Sequence, residues 1–205
     1  MDTSEKFLKL KAYYQALVPG MSPESWDITE NVLSVRTFKK GEFIVKEGSI
    51  CKNVSFINSG LIRMYYTFNG KEKIISFCNE NNYISDYQSF LTRMPALSNV
   101  QALEPTEVVD TSYDDLQMLY NRVPEANYMG RMIAEKLFLE MCEASHTVVK
   151  ESLLQRYRQL IAEQPWLMQR VPQYMIASLL GITPEALSRI KSRVHSTKKT
   201  LAVGV

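Results

Sequence analysis

Gln173-Tyr-Met-Ile-Ala-Ser-Leu-Leu-Gly-Ile-Thr-Pro-Glu-Ala-Leu-Ser-Arg-Ile-Lys-Ser-Arg-Val194 reads as two short helices joined by a tight turn. Ala177 is small where the two helices would touch. Gly181 stands where the turn needs a left-handed residue, a conformation that glycine adopts without a Cβ penalty. Thr183 suits the N-cap of the second helix and Pro184 its first position. Ile176, Leu180, Ile182, Leu187 and Ile190 supply the apolar positions between the helices. The pattern is that of a helix-turn-helix whose second helix presents its outward residues to a DNA groove.

On that reading Glu185, Ser188 and Arg189 lie near the start of the second helix, where base edges are met. An arginine fork matches guanine O6 and N7, and a glutamate accepts from cytosine N4. Lys191 and Arg193 lie further along and suit phosphates. Gln173 and Thr183, at the starts of the two helices, suit the sugar–phosphate backbone.

Upstream of this stretch the texture is helical as far back as Thr111. Ser112 with Asp115 resembles a capping box. Pro124 opens a long helix, expected to run to about Ala144, and a further helix is expected over Val148–Glu163. Met129, Ile133, Leu137 and Met141 recur every fourth residue of the long helix and make one apolar stripe. Such a stripe packs on the chain's own sheet or on a copy of itself. A DNA reader of two-fold symmetry favours the copy.

From Leu33 to Thr111 short runs rich in Val, Ile, Phe and Tyr alternate with turn residues. The expected strands are Val32–Phe38, Phe43–Lys46, Val54–Asn58, Leu61–Phe68, Glu72–Cys78, Val100–Leu103 and Val108–Thr111. Asn69-Gly70 marks a hairpin, since both residues tolerate positive φ. Regular spacing of this kind indicates a roll, sandwich or barrel. Residues 1 to about 30 read as two helices, divided by Pro19-Gly20 and reopened at Ser22-Pro23.

Composition narrows the function. The 205 residues are 45% hydrophobic and 22% charged, an ordinary globular balance. With no long apolar run and no leader-like N-terminus, the expectation is a cytoplasmic protein without a membrane partner. Cys51, Cys78 and Cys142 have no metal-ligand spacing, so no metal and no cofactor is expected, and the thiols read as reduced and partly buried. Both histidines, His146 and His195, lie outside the strand region, which disfavours a metal enzyme of the β-roll type. The net charge of +2 conceals an asymmetry. Val148–Val205 holds nine Lys/Arg and three Asp/Glu, so it carries +6 and the remainder −4. A basic end on an acidic body fits a polyanion partner.

With these residues in view, the chain resembles the Crp–Fnr family of bacterial transcription regulators over nearly its whole length. The resemblance rests on Phe38-Lys-Lys-Gly-Glu-Phe-Ile-Val-Lys-Glu-Gly48, on Phe56-Ile-Asn-Ser-Gly-Leu-Ile-Arg63 and on the helix-turn-helix. It implies an α+β architecture: a cyclic-nucleotide-binding-like β-roll over 1–123, a long dimerisation helix over 124–147, and a winged-helix DNA-binding domain over 148–205. Only His195–Val205 follow the second helix, so a reduced wing is expected. Glu185 and Arg189 stand where the family's base readers stand, while Pro184 replaces a basic reader of the cyclic-AMP-responsive members. The partners implied are double-stranded DNA, a second copy of the chain and RNA polymerase.

The effector segment departs from that pattern. Cyclic-AMP-binding members carry Gly-Glu and, about ten residues later, Arg-Ser; here Ser85-Asp86 and Ala96-Leu97 occupy those places. Arg93 is the nearest cation, and the long helix reads Leu139-Glu140-Met141 where an adenine-contacting polar pair would stand. A buried phosphate without its cation is costly. The expectation is therefore a regulator that does not respond to cyclic AMP, whose pocket takes another small molecule or none. The alternative is a ligand-sensing or protein-interaction module with a degenerate helix-turn-helix.

Overall fold

The structure, a computed structural model, describes residues 6–202, less the side chains of 140, 144–149 and 195–202. Two helices come first, α1 (Leu8–Leu17) and α2 (Pro23–Glu30). The strands follow: β1 (Ser34–Phe38), β2 (Phe43–Val45), β3 (Asn53–Ser59), β4 (Ile62–Phe68), β5 (Lys71–Cys78), β6 (Tyr83–Ile84), β7 (Asn99–Ala102) and β8 (Thr106–Ser112), with helix α3 (Tyr87–Thr92) between β6 and β7. Helices complete the chain: α4 (Tyr113–Arg122), α5 (Pro124–Lys150), α6 (Leu153–Glu163), α7 (Leu167–Arg170), α8 (Gln173–Leu180) and α9 (Pro184–Ala202). Contacts divide the chain into two compact units, one of Met1–Asn69 with Ile75–Leu137, the other of Gly70–Ile74 with Phe138–Val205.

In the first unit two four-stranded sheets, ordered β1-β8-β3-β6 and β2-β7-β4-β5, form the roll. Ile57 and Val108 from one sheet meet Val45, Ile62 and Val100 from the other, and Phe90 of α3 closes the same core. Alternation sends the neighbouring residues outward. Phe56 and Val109 lie on the opposite face and pack with Leu10, Tyr14, Trp26 and Met129 from α1, α2 and α5. Tyr13, Phe56 and Tyr83 meet there ring to ring, with centroids 5.3–5.7 Å apart. Glu125 accepts bonds from Ser22 N–H and the Ser25 hydroxyl, which ties the start of α5 to the start of α2.

The seven expected strands are present with ends shifted by one or two residues. The two-residue β6 has too short a run of apolar residues to stand out in sequence. The Asn69-Gly70 hairpin forms with φ of 50° and 70°. Ser112 caps α4 by accepting from Asp115 N–H. The long helix extends past Ala144 to Lys150, and α6 starts at Leu153, not Val148, because Ser152 and Gln155 form a full capping box there. Over residues 195–202, where a reduced wing was expected, α9 runs on as helix, since nothing from His195 to Ala202 is a glycine or proline that would stop it. Residues 203–205 lie outside the described ones.

Gly60 joins β3 to β4 at φ +110°, and a Cβ there would stand 2.3 Å from Thr106 Oγ1 and 2.7 Å from Thr106 Cα. Backbone cannot yield as a flexible side-chain tip does. Gly60→Ala is expected to lower the stability of the roll by roughly 2–4 kcal/mol, combining backbone strain with overpacking. Urea unfolding followed by tryptophan fluorescence checks this; a loss under about 0.5 kcal/mol would contradict the close approach.

Candidate functional site

The segment expected to form a helix-turn-helix, α8 and α9 with the turn between them, lies in the second unit. α8 ends at Gly181 with φ 71°, and Ile182 N–H reaches back to Ala177 carbonyl at 3.0 Å, the signature of a glycine-terminated helix. Thr183 Oγ1 then accepts from Ala186 N–H at 3.3 Å and starts α9. Ile176, Ala177, Leu180, Leu187, Ile190 and Val194 are buried, with Tyr157 of α6 and Leu167 of α7 among the unit's buried side chains. Glu185, Ser188, Arg189 and Ser192 are exposed. Their spacing of three and four residues places them on one face of α9.

This face has an electrostatic pattern of its own. Hydrogen bonding from Thr183 holds the Glu185 carboxyl below the ordinary glutamate range, with help from its own backbone N–H and the Arg189 charge. Lys191 Nζ donates to Gln173 Oε1 at 2.8 Å, linking α9 to the first residue of α8. The sequence-predicted residues Gln173, Thr183, Pro184, Glu185, Ser188, Arg189, Lys191 and Arg193 therefore come together on the two helices and their turn. The Gln173–Lys191 bond was not legible in sequence, because those residues are eighteen positions apart on different helices.

The effector segment lies in the first unit, and its expected residues do not converge on one pocket. Asp86 is 6% exposed and caps α3, accepting from Ser89 N–H at 3.0 Å. It also accepts from Ser98 N–H and the Ser98 hydroxyl at 3.2 and 2.6 Å. The carboxylate that would receive a ribose hydroxyl is thus engaged by its own chain. Ala96 is buried in the roll core, while Leu97 is 60% exposed. Arg93 takes a left-handed backbone, donates to the carbonyls of Cys51 and Phe90, and lies over the Tyr113 ring. Its guanidinium serves loop carbonyls instead of standing in for the missing arginine. Ser85 donates to Asn53 carbonyl at 3.2 Å. The side chain of Glu140 lies outside the described residues.

The apolar stripe of α5, expected as one dimer interface, is divided within the single chain. Met129 is buried and Ile133 packs beside it on the helices and sheet of their own unit. Leu137 and Met141 stay 40% and 70% exposed, and Phe138 is 66% exposed. Periodicity cannot separate these pairs, because the sheet that claims Met129 is not visible in a helical wheel.

A depressed carboxyl pKa has a defined consequence. The charged form of Glu185 is favoured, so its carboxylate persists to lower pH than an ordinary glutamate. Removing the hydroxyl by Thr183→Val is expected to raise the Glu185 midpoint toward the ordinary value, as read from side-chain carboxyl chemical shifts in an acid titration. An unchanged midpoint would exclude the Thr183 bond as the cause.

Comparison with known proteins fits this geometry. Residues 35–123 match the family model described as a cyclic nucleotide-binding domain. The chain is similar to the cyclic AMP receptor protein of Thermus thermophilus, at 21% identity over 85% of this chain and 82% of the relative. Among solved structures it shares the fold of FixK2 from Bradyrhizobium japonicum, with a TM-score of 0.66, 18% identity, and coverage of 82% of this chain and 86% of that one. A CooA mutant from Carboxydothermus hydrogenoformans matches with a TM-score of 0.65, 16% identity, and coverage of 82% and 78%. Residues 35–123 of the roll are thus similar to a cyclic nucleotide-binding domain, and the similarity to the Thermus thermophilus relative extends over most of the chain.

Proposed function

We propose that this protein is a sequence-specific DNA-binding transcription regulator of the Crp–Fnr type that works as a homodimer and does not respond to cyclic AMP. The observation that carries the reading is the exposed Glu185–Ser188–Arg189 face at the start of α9, held by a well-packed helix-turn-helix. Glu185, kept charged, is an acceptor for cytosine N4, and Arg189 is a fork for guanine. Lys191, set against Gln173, and Arg193 serve phosphates. RNA polymerase is the further partner that this role implies.

Two features support independence from cyclic AMP. Apolar Ala96 stands where the phosphate-neutralising arginine would stand, and the Asp86 carboxylate already accepts three hydrogen bonds from Ser89 and Ser98. A cyclic phosphate buried there would lack its cation, and a ribose would have to break existing bonds. For the homodimer, the support is the exposed Leu137, Phe138 and Met141 on α5. Among the described residues no helix is long and apolar enough to cross a membrane.

Selection from random duplexes with purified protein and no added ligand is the primary test. An inverted repeat with half-sites about one helical turn apart is the expected product; absence of any enriched sequence, with or without cell extract, would refute it. Arg189→Ala is expected to cost about 1–3 kcal/mol and relax preference at one base pair per half-site. Equal loss on all sequences would contradict base reading. Met141→Glu is expected to shift the protein toward monomer in sedimentation runs, whereas Met129→Ala lowers unfolding stability by about 2–5 kcal/mol. A dimer unaffected by Met141→Glu would move the interface away from this part of α5.

A further inference from the structure

One end of the roll holds a cleft of about 120 Å³, lined by Arg36 of β1, Ile44 and Val45 of β2, and the segment Ser49–Asn53 that leads into β3. At about 30 Å³ per water it has room for roughly four waters. That is well below the ~300 Å³ at which pockets begin to take drug-sized ligands. A nucleotide does not fit; a phosphate or carboxylate group does.

The lining has cationic and amide donors to spare. Arg36 uses Nε to hold the Asp110 carboxylate, which is 1% exposed and also accepts from the Ser55 hydroxyl. The buried carboxylate anchors the guanidinium at the cleft. Among the described residues, no acceptor is bonded to the two Nη groups of Arg36, to Lys52 Nζ or to the side-chain amide of Asn53. The carboxylates near this end are already committed, Asp110 to Arg36 and Ser55, and Asp115 to Ser112. Two cations against one buried carboxylate leave the cleft with a charge of about +1, and an arginine fork matches the paired oxygens of an oxyanion.

We propose that this cleft binds a compact oxyanion, the phosphate or carboxylate group of a small metabolite, between Arg36, Lys52 and Asn53. The site is separate from the segment where cyclic nucleotides would lie. Its wall leads there nonetheless. Cys51 N–H donates to Ser89 Oγ at 3.0 Å, the Cys51 carbonyl accepts from the Arg93 guanidinium, and its Sγ lies 3.3 Å from Ser85 Oγ. An anion that orders Ser49–Asn53 therefore orders the α3 segment as well.

Inorganic phosphate and acetate, titrated separately into the full-length protein against sodium chloride at matched ionic strength, test the proposal through backbone amide shifts. Saturable shifts at Ser49–Asn53 and in the α3 segment are expected, with a Kd near about 1 mM. A response to phosphate alone identifies a phosphate group, and a response to both identifies any small oxyanion. Lys52→Glu is expected to weaken the binding at least tenfold. Lys52 is exposed and its ammonium holds no other group, so the fold is retained. Arg36→Lys keeps the charge, loses the fork and is expected to weaken binding too. The double variant Arg189→Ala with Lys191→Ala removes anion shifts in α8 and α9 but leaves those at Ser49–Asn53. No saturable shift at Ser49–Asn53 with either anion, or a response unchanged by Lys52→Glu, would overturn the proposal.

Discussion

Asp110 sits in the second strand of a four-stranded sheet with 1% of its surface reaching solvent. A carboxylate so placed is costly unless it is paired and hydrogen-bonded. It meets both conditions across the sheet, accepting from Ser55 of β3 on one side and Arg36 of β1 on the other. The three residues share the inner face with Val108 and Ile57, whose register fixes them there. The apolar core and this ionic row therefore demand the same register, and a slip of one residue would expose the core and bury the wrong side chains. The row also leaves an arginine fork held open at the end of the roll.

The same logic, a buried carboxylate satisfied from within, governs the α3 segment. Asp86 binds α3 to the start of β7 through Ser89 and Ser98. Asp86 thus ties this segment together with bonds made within its own chain.

The helix-turn-helix obeys a separate economy. Its core is a few apolar side chains from α6 to α9, so the turn must be right for the helices to meet at all. Gly181 and Thr183 provide that turn by conformation and capping. Glu185, Ser188 and Arg189 lie outward of this core and are exposed. Thr183 serves both purposes, capping α9 and holding the Glu185 carboxyl charged.

Much of this was legible in the amino-acid order. The alternating runs, the Asn69-Gly70 turn and the capping residues Ser112, Thr183 and Pro184 specify elements through local sterics and hydrogen bonds, which depend on neighbours in the chain. So did the face of α9, because a helix of known start fixes which residues point outward. What lay beyond local rules was decided by packing. The fate of the α5 stripe turned on packing that covers Met129 and Ile133 and leaves Leu137 and Met141 partly exposed to solvent. Arg93 stood in sequence as the nearest cation to the effector segment, and the fold sets it against carbonyls of Cys51 and Phe90. The continuation of α9 past His195, the bonding of Asp86 to Ser89 and Ser98 and the pairing of Asp110 with Arg36 belong to the same class. Each joins groups distant in sequence or depends on which competing partner arrives first in space, so only the tertiary structure determines it.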